Sequence, residues 1–148
     1  MSSKFKPFLR SFAILGVLAI AAYFAHTEYQ SHLGRQALEA TGLEVHSLEQ
    51  ALAKSKETGK PVLADLSAIW CPSCRRLDET VLAHESVKAK IETDYIFARI
   101  EYESDEGQAF MRRHGLRGFP NLLTLDGEGE KLKTLPRTFD PSEFLQAL

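Results

Sequence analysis

The chain has 148 residues, with 18 Lys or Arg against 20 Asp or Glu and a net charge of −2. That balance leaves no basic footprint for nucleic acid or for a polybasic membrane-surface patch. About 100 residues beyond the N-terminal stretch suffice for one packed core and not two, and with only two cysteines any thiol chemistry runs through that one pair.

Lys4, Lys6 and Arg10 precede an uncharged stretch from Ser11 to Thr27 built around Phe12–Ala25. Basic residues ahead of an apolar segment orient it with the N-terminus in the cytoplasm and export the chain beyond it. Ala19-Ile20-Ala21 offers the small-x-small site of a cleaved signal peptide. The apolar run continues through Phe24-Ala25, however, and reaches the lower length limit of a span, which favours an uncleaved anchor. Residues 1–27 are therefore expected to be a signal anchor or signal peptide. Either places the remainder in the periplasm or an equivalent extracytoplasmic space, and the anchor tethers it to the inner membrane. Residues 28–45, polar and mixed with Gly34 and Gly42, read as a linker, and 46–148 as the folded domain.

Ser47-Leu48-Glu49-Gln50 has the form of a capping box and opens a helix that Gly59 ends. A strand from Pro61 to about Leu66 leads into Trp70-Cys71-Pro72-Ser73-Cys74, and the spacing predicts a helix from Pro72 to about Ala83. Next come a short helix over Ser86–Glu92 and a buried strand over Tyr95–Ile100. Asp105–His114 forms a helix stopped by Gly115. Asn121–Leu125 and Lys131–Leu135 are strands around Asp126-Gly127-Glu128-Gly129, and Asp140-Pro141-Ser142-Glu143 caps a last helix. This order, α-β-α-β-α-β-β-α, predicts an α/β fold with a central mixed sheet flanked by helices.

The cysteines thus sit where a strand ends and a helix begins. Unpaired backbone N–H groups and the macrodipole at a helix N-terminus stabilise a thiolate over a thiol. Cys71 is the more exposed, attacking sulfur, and Cys74, one turn further in, resolves the mixed disulfide formed on Cys71. Half a zinc site is a poorer reading, because His26, His32, His46, His84 and His114 supply no second ligand pair at the usual spacing. A structural disulfide across so short a loop would remove little unfolded-state entropy. A binding module or metal chaperone using the pair as soft ligands is the reading from a different class. Asp65, in an apolar strand six residues before Cys71, is costly there unless used, its bland alternative being an exposed strand end.

Asp65, Trp70-Cys71-Pro72-Ser73-Cys74 and Gly118-Phe119-Pro120 resemble the thioredoxin superfamily, over roughly Ser47 to Leu148. Within it, Lys60–Leu66, Asp78 and Gly118–Gly129 are most like the C-terminal periplasmic domain of DsbD-type thiol:disulfide interchange proteins. The resemblance implies a thioredoxin-like sandwich and a cis Pro120 facing the cysteines, with Phe119-Pro120 as a substrate-docking loop. Trp70 is expected to shield the sulfur and add contact surface. Asp65, if buried as in the family, has a raised pKa and takes the proton of Cys74 during resolution. Asp78, four residues after Cys74 on the same helical face, adds negative charge, against which Arg75, Arg76 and Arg99 act. For Arg75 and Arg76 a solvated helix face is the simpler reading.

No metal or organic cofactor is implied beyond the redox-active Cys71–Cys74 pair. A protein-disulfide reductase is preferred to a dithiol oxidase or isomerase, because Pro72-Ser73 places no histidine between the cysteines and acids surround them. Expected substrates are exported disulfide proteins: another thioredoxin-like protein, an isomerase or a cytochrome c maturation factor. The family's multi-span electron-importing domain is not expected within this stretch, and a membrane thiol carrier is the expected electron donor.

Overall fold

The computed structural model describes the backbone from Phe5 to Leu148 and side chains from Ser11 onward. Lys4 and the side chains of Lys6 and Arg10 lie outside the described residues.

All six residues of β1, Val62–Ser67, are buried, as a strand with neighbours on both edges and layers on both faces requires. It pairs in parallel with β2 (Ile96–Glu101) and antiparallel with β3 (Asn121–Leu125), which carries β4 (Lys131–Thr134) antiparallel on its other edge. The sheet is mixed, in the order β2-β1-β3-β4.

Side chains alternate between the two faces of a strand. Val62, Ala64, Leu66, Ala98, Ile100, Leu123 and Leu125 pack with Ala51 of α2 (Leu48–Thr58) and Phe110 of α5 (Asp105–His114). Leu63, Phe97 and Leu122 turn to the other side. There they meet Leu77 of α3 (Pro72–Leu77), Val87 and Ile91 of α4 (Glu85–Asp94) and Phe144 of α6 (Pro141–Ala147). By the same alternation Asp65 and Arg99 face the α3 side.

The expected boundaries are set by recognisable caps. Ser47 and Gln50 form a complete capping box on α2, and Gly59 closes it at φ 75°, a left-handed conformation that suits glycine. The helix after the cysteines departs from expectation: α3 gives way at Asp78 to a π-helical turn, Asp78–Leu82, in which Ala83 N–H reaches back to Asp78 C=O at 2.9 Å. The wide turn starts at the residue whose carboxylate the sheet holds.

The second departure is larger. Residues 28–41, expected as spacer, continue a single helix, α1, from Phe5 to Thr41. Its C-terminal part docks on the domain with Ser31, Gly34, Ala37 and Thr41 buried, a stripe of small residues at helical spacing that admits close packing. From Ser11 to Phe24 the helix is exposed, including Phe12, Ile14, Leu15, Val17, Leu18 and Ile20, and it is long and apolar enough to cross a membrane.

Candidate functional site

The two cysteines are held by the start of α3. Cys71 is its N-cap residue in an extended conformation, with Pro72 in the first turn, and the Cys71 Sγ accepts the Cys74 backbone N–H at 3.2 Å. Pro72 suits this place because its missing N–H is not needed there. The Ser73 hydroxyl lies 3.1 Å from the same sulfur. Both thiols are free, and Cys71 is the more accessible, at 5% exposure against 2% for Cys74.

Burial pushes the Cys74 thiol up to about 12, helped by its hydrogen bond with Cys71 and by the Cys71 charge. The Ala68 backbone and the Ser67 hydroxyl oppose the rise, although buried Ser67 Oγ forms no well-aligned hydrogen bond. Cys74 therefore keeps its proton while Cys71 is a free sulfur.

On its α3 side the sheet carries buried charge, and Arg99 there feels the Cys74 charge. The parallel register puts Asp65 of β1 beside Arg99 of β2, with Arg99 Nη1 3.0 Å from Asp65 Oδ2. Arg99 Nη2 donates to both carboxylate oxygens of Asp78 at 2.6 Å. All three side chains are buried. Burial favours neutral Arg99, but Asp65 and Asp78 outweigh it and raise its pKa, so the guanidinium stays charged.

The two acids are held differently. Asp78 takes two short charge-assisted bonds; burial raises its pKa, with Arg99 opposing. Asp65 has an ion pair that is close but misaligned, so neither oxygen receives a proper hydrogen bond and Arg99 Nε donates none. Burial raises Asp65 to about 7 against the pull of Arg99, with Asp78 and Glu101 adding to the rise. Burial thus holds both carboxyls above the usual carboxylate range, Asp65 at about 7.

Trp70, Phe119 and Tyr102 form the rim. Trp70 meets Phe119 edge-on at 5.6 Å between ring centroids, Tyr102 lies 4.7 Å from Phe119, and all three pack against Cys71, Cys74 and Ala68. The Phe119–Pro120 peptide is cis, and Asn121 Nδ2 donates to Gly118 C=O at 2.7 Å, fixing the loop. The expected residues Cys71, Cys74, Trp70 and Phe119 thus pack together, with Pro120 next in chain to Phe119, while Asp65 and Asp78 meet on Arg99.

Sequence reasoning underweighted Arg99, whose signal is a charge inside Ile96-Phe97-Ala98-Arg99-Ile100. It missed Tyr102 and also Glu101, whose Oε1 accepts the Ile69 N–H at 3.0 Å and steadies the loop before Trp70. Arg75 departs from the solvated reading: it is half-buried and donates to Gln30 of α1 at 2.7 Å. Arg76 is exposed and lies 4.3 Å over the Phe139 ring.

Comparison with known proteins places these features in context. A family model described as thioredoxin-like matches residues 44–127. The thiol:disulfide interchange protein DsbD of Escherichia coli K12 is 31% identical over 108 residues, covering 72% of this chain and 18% of that protein. DsbD of Yersinia enterocolitica is 29% identical over 144 residues, covering 91% and 24%. The chain thus spans a quarter or less of the length of these relatives. Among solved structures, a thioredoxin from Thermus thermophilus superposes with a TM-score of 0.63 at 25% identity, covering 70% of this chain and 82% of that one. The oxidised C-terminal domain of Neisseria meningitidis DsbD superposes at 0.57 and 25% identity, covering 66% and 86%.

Proposed function

Because the chain belongs to the thioredoxin-like family, we propose that it is a thiol:disulfide oxidoreductase acting as a reductase of disulfides in exported proteins. The observation that carries this reading is a free Cys-x-x-Cys pair at a helix start, with a buried Asp65–Arg99–Asp78 cluster whose Arg99 feels the Cys74 charge. In the proposed cycle the Cys71 thiolate attacks a substrate disulfide and releases one substrate thiol. Cys74 then attacks Cys71 Sγ and releases the second, so the substrate gains two electrons and two protons and the Cys71–Cys74 disulfide remains.

Resolution requires Cys74 to lose its proton. Once Cys71 is tied up in a mixed disulfide, its charge and its hydrogen bond no longer raise the Cys74 pKa, and Asp65 serves as the proton acceptor on the buried side. Arg99 keeps Asp65 and Asp78 from both going neutral. The charge of Asp78 and the absence of a histidine between the cysteines support the reducing direction.

Residues 1–27 are proposed as an inner-membrane signal anchor with its N-terminus in the cytoplasm, and the Cys71 domain as periplasmic. Substrates of this reading are thioredoxin-like proteins, disulfide isomerases or cytochrome c maturation factors, docking along Trp70, Phe119 and Pro120, with a membrane thiol carrier as donor. The test is dithiothreitol-driven reduction of insulin by the full chain in detergent micelles. The wild type is expected to accelerate B-chain precipitation and Cys71→Ser is not. A wild type without effect, or one that binds copper(I) or zinc stoichiometrically without turnover, would make the chain a binding module.

A further inference from the structure

Helix α1 does not merely lead to the domain; it grips the segment that carries the cysteines. At Gly34 a Cβ would lie 1.8 Å from the Ile69 carbonyl oxygen, so the helix and the loop touch backbone to backbone and no larger residue fits without displacement. One turn earlier, Gln30 Oε1 accepts the Arg75 guanidinium at 2.7 Å. Ile69 lies two residues before Cys71 and Arg75 one residue after Cys74, so the two contacts bracket the pair.

The same helix carries its exposed apolar side chains up to Tyr23 and Phe24. At 1.5 Å rise per residue, Gln30 stands about 8 Å and Gly34 about 14 Å beyond Ala25 along the axis. Between the helix and the rim opens a cleft of about 310 Å³, lined by Tyr23, His26 and Gln30 on one wall and Trp70, Pro72 and Glu103 on the other. Tyr23 and Trp70 are residue types that settle at a membrane–water interface.

Resting on the redox reading above, we infer that α1 is a built-in part of the exchange site. It clamps the Cys71–Cys74 segment at a fixed height of about 10 Å over the bilayer. The cleft beside Trp70 accordingly exchanges with disulfides displayed at headgroup height on the membrane. A flexible tether would let the domain sample all heights; the Gly34–Ile69 contact does not.

The test uses the reduced full chain in phosphatidylcholine vesicles and a pyridyl disulfide probe. The probe is attached to a phosphatidylethanolamine headgroup directly, or through polyethylene glycol spacers of increasing length, or to a soluble peptide. Cys71 attacks the probe sulfur and expels pyridinethione, and Cys74 then releases the lipid or peptide thiol, leaving the Cys71–Cys74 disulfide. Each turnover thus moves two electrons and is read by thione absorbance. The wild type is expected to react at least about tenfold faster with the headgroup-level probe than with the longest spacer, an effective-concentration effect. Gly34→Leu is expected to lose that preference.

A seven-residue polar helical insert between Ala25 and His26 adds two turns and keeps the docking face in register. It leaves the docked half of α1 intact and should move the preferred spacer outward by about 10 Å. Equal rates at every spacer length in the wild type, or an unshifted profile in the insertion variant, would overturn the clamp while leaving the redox reading intact. A wild type that reduces neither lipid nor peptide probe refutes the redox reading and the clamp with it.

Discussion

Strands β1 and β2 show two unlike faces to the two halves of the domain. Toward α2 and α5 they present Val62, Ala64, Leu66, Ala98 and Ile100, a layer with no polar side chain. Toward α3 they present Leu63 and Phe97 at one end and Asp65 and Arg99 at the other, closed from above by Asp78. A buried ion triad is often no more stabilising than apolar residues of the same volume. Both faces carry an apolar core, so stability alone does not call for the ion triad, and the proposed function gives it a role beside the cysteines.

The largest effect that separates the faces is expected from Arg99→Leu. It leaves two buried carboxyls without a countercharge and should cost about 3–5 kcal/mol at pH 7 in urea unfolding. Part of that loss should be recovered as the pH falls and both acids protonate. Leu123→Ala, on the apolar face, should cost about 2–5 kcal/mol with no such recovery. Equal pH dependence in the two variants would erase the distinction drawn here.

Asp65→Asn sharpens it further. Removing the proton acceptor should slow resolution of a mixed disulfide at Cys71 by about 10²-fold, measured by stopped-flow, and abolish the rise in rate through about pH 7 where Asp65 ionises. The same substitution changes the stability profile. Asp65 titrates at about 7 when folded against an ordinary 3.8, so between these values the folded chain binds the extra proton. The stability it contributes is present at low pH and lost as pH rises through that window, at about 1.4 kcal/mol per pH unit. Subtracting the Asp65→Asn unfolding curve from the wild-type curve should show that downward slope and a plateau above pH 7. The smallest effect is expected at Ser47→Ala, which removes the α2 cap for about 1 kcal/mol and leaves the reaction of Cys71 unchanged.

Much of the fold was legible because its boundaries are chemical. Ser47, Gly59, Gly115 and Asp140 mark helix ends by capping and left-handed turns, and the apolar runs at Val62–Leu66 and Ile96–Ile100 mark the paired core strands. The cysteines and the odd carboxylate at Asp65 pointed to the candidate site. What could not be read is what depends on register and close approach. Arg99 reaches Asp78 across 21 positions only because the crossover between β1 and β2 sets Asp65 opposite it. The docking of residues 28–41 was hidden because its contact stripe, Ser31, Gly34, Ala37 and Thr41, is made of small rather than apolar residues and resembles a spacer by composition.

The most direct test of the reducing assignment is the reduction potential of Cys71–Cys74 in the full chain, equilibrated in detergent micelles against dithiothreitol buffers. Negative charge near the cysteines disfavours the Cys71 thiolate and so gives the reduced form no special stabilisation, which predicts a value near that of thioredoxin, about −270 mV. A value near about −120 mV, that of a strong dithiol oxidant, would contradict the account, because the charged layer would then favour the disulfide's reduction and the chain would draw electrons from exported thiols.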